Sequence, residues 1–100
     1  MYDMKNLSKF KKYSQLAPEA FAGFEAFDAA AFKDGAIPIK HKELIAVAVA
    51  LTTQCPYCIE VHSKRARQAG ATEQELAETT LIAAALRAGG AMTHGTHALV

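Results

Sequence analysis

The sequence predicts an all-α protein of five to six helices. Three observations point there. No stretch alternates apolar and polar residues as a half-buried strand would. Helix-start signals recur, with Pro18 and Pro56 suited to first turns and "TEQE" at 72–75 forming a capping-box pattern. The apolar runs are rich in alanine, the best helix former and a residue depleted in strands.

The elements follow in order. Residues 6–16, "NLSKFKKYSQL", place Leu7, Phe10 and Leu16 among polar neighbours, as in a short amphipathic helix. Pro18 opens a second helix. Its stripe is Ala20, Phe24, Phe27 and Ala31, with Phe21 on the flank, and Gly35 and Pro38 end it. An aromatic stripe at this spacing reads as core or oligomer contact. The third segment, "KHKELIAVAVALTT", holds eight consecutive apolar residues that fit a buried strand or a buried helix. Ala46, Ala48 and Ala50 and the polar residues from Lys40 favour the helix.

A fourth helix begins at Pro56. Glu60, Lys64 and Arg67 make its charged outer stripe, and Cys55, Cys58, Ile59, His62, Ala66 and Ala69 fall on the other side before Gly70 ends it. The fifth has Thr72 as N-cap and runs to about Ala88. Its "LIAAAL" segment, apolar all round, reads as deeply buried, and Gly89-Gly90 as a break or kink. A short helical piece in "AMTHGTHALV" follows.

Length and charge limit the function. One hundred residues make a single domain, 1–100, with a modest core of its own, yet 51% of the residues are hydrophobic. That mismatch predicts apolar surface covered by another subunit. A net charge of +1 is not the footprint of a nucleic-acid binder, and Lys5, Lys9, Lys11 and Lys12 read as a solvated helix face. "LIAVAVAL" is too short to span a bilayer, and the first ten residues lack the apolar stretch of a signal peptide. The expectation is a cytoplasmic protein with no membrane or nucleic-acid partner. Two close cysteines in that setting are catalytic or metal-binding rather than structural.

The chemistry centres on "QCPYCIEVH". A reactive cysteine needs a stabilised thiolate, which a helix N-terminus supplies through its unpaired N–H groups. Cys55 falls near the N-cap and Cys58 in the first turn, so both sulfurs share a face and can form a disulfide. His62, one turn beyond Cys58, can take or return a proton, the alternative being a core histidine bonded to a backbone carbonyl. Glu43 and His62 average to 52.5, near the turn joining helices three and four, so a helical hairpin sets them at the same height. There Glu43 could orient the imidazole, and loss of water beside the apolar run suits it to proton exchange; the bland alternative is a solvated residue near a helix N-terminus. Zinc is another reading: Cys55, Cys58 and His62 need a fourth ligand, and only His41, His94 and His97 remain. Haem attachment fails because Ile59 follows Cys58.

The tetrapeptide Cys-Pro-Tyr-Cys also resembles the glutaredoxin motif. That fold needs a strand before the motif and a cis-proline strand after it, and nothing after residue 70 reads as a strand. The longer pattern of a Glu, eleven residues, Cys-x-x-Cys, three residues and a His runs here from Glu43 through "LIAVAVALTTQ" to Cys55, Cys58 and His62. It resembles the alkylhydroperoxidase D-like branch of the carboxymuconolactone decarboxylase superfamily, over about Ala36 to Leu99.

The resemblance implies an all-helical homo-oligomer, trimer or hexamer. It implies a thiol-dependent hydroperoxidase or disulfide oxidoreductase with no bound cofactor or metal beyond a redox-active Cys55–Cys58 disulfide. Cys58 would attack the peroxide and Cys55 would resolve the sulfenic acid. Glu43 and His62 would relay protons, and an external dithiol or a thioredoxin-like reductant would restore the pair. Decarboxylase members lack the cysteine pair, so lactone decarboxylation is not implied. One departure is Tyr57, where some hydroperoxidases carry a histidine. The alternative functions are a redox-sensing or metal-binding oligomer without turnover and a glutaredoxin-like dithiol reductase.

Overall fold

In the computed structural model, residues 2–100 are described. They are helical, with no strand among them, and fall into two compact units, one ending at Ile39 and one running from Lys40 to Val100.

The first unit opens with a 3-10 turn, Met4–Lys9, rather than with the first α-helix. Asp3 caps it, its carboxylate accepting the Lys5 N–H at 2.9 Å. Helix α1 (Phe10–Leu16) follows, then α2 (Pro18–Phe32). The break between them has a local cause. A residue before proline is driven out of the helical region, and Ala17 sits at φ −144 and ψ 65. Phe21 joins α2 to α1, its ring 6.0 Å from that of Phe10 and 5.7 Å from that of Tyr13. The predicted stripe of α2 is not core: Phe24 and Phe27 are exposed.

The second unit contains α3 (Ile39–Thr53, entered from the first unit), α4 (Pro56–Gln68) and α5 (Glu73–Gly95), followed by a 3-10 turn, Thr96–Ala98. Each helix gives one residue to the core cluster: Val47, Ala66 and Leu76, flanked by Leu44, Leu51 and Ala71. Ala66 is fully buried.

Two helix ends have the same construction. The Cys55 N–H bonds the Ala50 carbonyl at 3.1 Å, and the Ala71 N–H bonds the Ala66 carbonyl at 2.9 Å. These are six-to-one bonds, each with a left-handed residue just before the donor. That residue is Gly70 after α4, at φ 99, but Gln54 after α3, at φ 57.

The predicted capping box is present: the Glu75 N–H donates to Thr72 Oγ1 at 3.1 Å and the Thr72 N–H to Glu75 Oε1 at 2.9 Å. Lys40 Nζ reaches the other Glu75 oxygen at 2.9 Å. Its hydrogen bond is the chief reason the Glu75 carboxyl sits below the usual carboxylate range.

Two expectations for α5 are corrected. The helix passes through Gly89-Gly90 without a break and ends at Gly95. A helical glycine costs about 1 kcal/mol relative to alanine but keeps its N–H, so the strong formers around the pair hold the helix together. The "LIAAAL" segment is also not buried within the chain: Ala83 is buried, but Leu81, Ile82 and Leu86 are all more than half exposed.

Candidate active site

All four predicted residues lie on α3, α4 or the turn between them. Gln54 in its left-handed conformation reverses the chain within two residues, so α4 starts at once and returns along α3. Cys55 is the N-cap of α4, in extended backbone, with Pro56 at the first helical position. Its Sγ accepts the Cys58 N–H at 3.3 Å and lies 2.7 Å from Cys58 Sγ. Both cysteines are free thiols and half-buried.

The two sulfurs differ in acidity. Cys55 is held below the ordinary thiol value, first by the hydrogen bond from the Cys58 thiol and then by the Cys58 backbone N–H. Cys58 is pushed up to about 11, since its proton is engaged by Cys55 and burial disfavours a second anion beside the first. The pair ionises as a unit, and the N-cap position and the Cys58 N–H both favour the charge at Cys55.

Glu43 and His62 meet as the hairpin geometry predicts, His62 Nδ1 lying 2.6 Å from Glu43 Oε1. Glu43 is only 5% exposed and is the one buried charged side chain among the described residues, so a carboxylate there depends on this partner. A carboxylate only accepts, so Nδ1–H donates, which fixes the ring and leaves proton exchange with other groups to Nε2. His62 stands one turn after Cys58 on the inward side of α4, whereas Glu60, Lys64 and Arg67 are exposed. Among the described residues, no three His, Cys, Asp or Glu side chains come together as a set that could hold a metal ion.

Two contributors were not identified from the sequence. Glutamine carries no strong signal for a left-handed turn, and only the two-residue gap between Thr53 and Pro56 marks Gln54. Arg87 Nη1 donates to the Thr52 carbonyl at 2.7 Å, fastening α5 to the end of α3 that leads into the cysteines. Thirty-five residues separate the two, a distance at which spacing gives no signal.

The comparisons agree with this architecture. The model of the carboxymuconolactone decarboxylase family matches residues 18–100. The chain belongs to this family. The match starts at Pro18, well before the Ala36 expected from the active-site pattern, and so takes in α2.

An uncharacterized protein of the cox locus of Paracoccus denitrificans is 43% identical, over 96% of this chain and 92% of its own length. An uncharacterized protein of Cupriavidus necator is 34% identical, over 91% of this chain and 80% of its own. Among solved structures, a carboxymuconolactone decarboxylase family protein from Legionella pneumophila superposes with a TM-score of 0.77 at 39% identity, covering 93% of this chain and 83% of its own. A protein from Methanobacterium thermoautotrophicum gives 0.81 at 35% identity, over 86% and 97%. The all-helical fold and the superfamily are as the sequence predicts.

Proposed function

We propose that this member of the family is a thiol-dependent hydroperoxidase or disulfide oxidoreductase in which Cys55 and Cys58 cycle between dithiol and disulfide. The observation that carries this reading is the buried Glu43–His62 pair, set on the same helical hairpin as two sulfurs 2.7 Å apart. A structural cysteine pair needs no carboxylate-oriented imidazole one turn away. A dithiol that must lose and regain protons in each cycle does.

The substrate is a peroxide or a small disulfide, and an external dithiol or thioredoxin-like protein restores the pair. No cofactor is required. The working form is a cytoplasmic homo-oligomer, trimer or hexamer, a reading supported by exposed Leu81, Ile82, Leu86 and Met92 on α5. Among the described residues no helix is long and apolar enough to cross a membrane.

The test is peroxide or disulfide consumption with a dithiol donor. Cys55→Ser and Cys58→Ser should each abolish turnover, and His62→Ala should lower kcat by about 100-fold, the usual range for losing a general acid–base. Undiminished turnover in Cys58→Ser refutes the dithiol mechanism.

A further inference from the structure

Each cysteine has a different set of neighbours, and the difference assigns an order of attack. Cys55 Sγ accepts the Cys58 N–H at 3.3 Å and faces Cys58 Sγ at 2.7 Å. It is also the N-cap, where the positive end of the α4 dipole favours an anion. Cys58 has no such position. It is inside the first turn, with His62 four residues on.

At 1.5 Å per residue, Cys58 precedes His62 by about 6 Å along the axis and Cys55 precedes it by about 10 Å. The dyad therefore serves Cys58 more directly than Cys55. A sulfur remote from an acid is suited to a leaving group that departs as an anion. A thiolate does so readily, whereas an alkoxide from a peroxide needs a proton.

Resting on the thiol-redox reading above, we propose that Cys55 is the thiolate that attacks a disulfide substrate, and that Cys58 is the resolving thiol deprotonated by the Glu43–His62 pair. This order is opposite to the one the family resemblance implies. In the first step Cys55 Sγ bonds to one sulfur of the substrate, the substrate S–S bond breaks, and the departing thiolate takes a proton from water.

In the second step His62 Nε2 accepts the Cys58 proton, and Cys58 Sγ attacks Cys55 Sγ of the mixed disulfide. The second substrate thiolate leaves and collects that proton from His62. Two electrons pass from the cysteines to the substrate, which ends as two thiols, and the protein ends with the Cys55–Cys58 disulfide. The acidity difference between the two sulfurs agrees with this order.

The test begins on the reduced wild-type protein, so it depends on no variant folding. Limiting iodoacetamide at neutral pH, followed by peptide mass analysis, should label Cys55 faster than Cys58 by about tenfold or more, because the N-cap sulfur that accepts the Cys58 N–H carries the larger thiolate fraction. With 5,5′-dithiobis(2-nitrobenzoate), Cys58→Ser should release one thionitrobenzoate and retain the other on Cys55. His62→Gln should slow the second release at least about tenfold more than the first. Preferential labelling of Cys58, or a His62→Gln defect confined to the first release, overturns the assignment. Failure of the wider reading has a different signature: Cys55 labels first, yet no peroxide or disulfide is turned over with any dithiol.

Discussion

At the scale of single residues, the proposed function requires the site to move protons around a dithiol. Glu43 is buried and His62 largely so, and the two bond each other, so loss of the imidazole would leave a buried carboxylate without this bond. Glu43→Gln keeps the shape but turns an acceptor-only group into one that also donates. It should lower turnover by roughly 10- to 100-fold, less than outright loss of the imidazole. Steady-state kinetics on Glu43→Gln, His62→Ala and the double variant check this. Strictly additive losses would show that the two do not act as a unit.

The thiols give a pH prediction with a definite sign. Cys55 has a folded acidity value below the ordinary thiol value, so its charged form is favoured in the folded state. Alkylation at Cys55 should therefore rise at lower pH than alkylation of the unfolded chain. The same linkage adds stability that is fully present above the unfolded thiol value and lost as pH falls through the folded one. Rates of iodoacetamide modification across pH, compared with those in urea, measure the difference. Coincident profiles would remove the electrostatic argument for Cys55. For Cys58, pushed up to about 11, the free thiolate should be negligible at neutral pH unless His62 accepts its proton.

At the scale of elements, the turn between α3 and α4 decides where the sulfurs sit, and the two similar helix ends make a controlled comparison. A non-glycine residue in the left-handed region costs roughly 1–2 kcal/mol, which Gln54 bears and Gly70 avoids. Gln54→Gly should stabilise the protein by about 0.5–1 kcal/mol once the extra chain entropy of glycine is subtracted, and Gly70→Ala should destabilise it by about 1 kcal/mol. Urea midpoints of both variants provide the measurement, and destabilisation by Gln54→Gly would mean that the glutamine side chain matters more than its backbone strain. Arg87→Ala should cost about 1 kcal/mol by freeing the Thr52 carbonyl.

How much of this was legible follows from the kind of signal each element carries. Cys55 as N-cap, the Thr72–Glu75 box and the height match of Glu43 with His62 are local or periodic, and the sequence shows them directly. The 3-10 turn at Met4–Lys9 and the continuation of α5 through Gly89-Gly90 were not legible. Both depend on small free-energy differences between helical states, which neighbouring residues outweigh. The exposure of "LIAAAL" was illegible for another reason. Hydrophobicity indicates that a face is covered but not by which chain.

At the scale of the whole molecule, the apolar content exceeds what the chain covers by itself. On α5 the buried positions are Leu76 and Ala83, seven apart on one face. Leu81 is two residues from Ala83, about 200° round the helix; Met92 continues its line at eleven residues, and Ile82 and Leu86 widen the exposed apolar face to an arc of about 140°. These four side chains are 60–77% exposed. Burying each in a subunit contact would contribute about 1.5–3 kcal/mol, a substantial part of a small domain's stability. Covering this face with a second copy, as proposed above, would account for order in a chain with so few buried residues. Association through it should make the melting temperature rise with protein concentration.

Leu86→Glu places a charge on this exposed apolar face. It should lower the native mass toward a single chain, with loss of melting temperature, while Glu60→Lys on the exposed outer face of α4 should leave the mass unchanged. Native mass spectrometry and sedimentation of the two variants separate the outcomes. A wild-type protein that is monomeric at all concentrations would leave the α5 stripe without a covering surface, and the oligomeric reading would have to be abandoned.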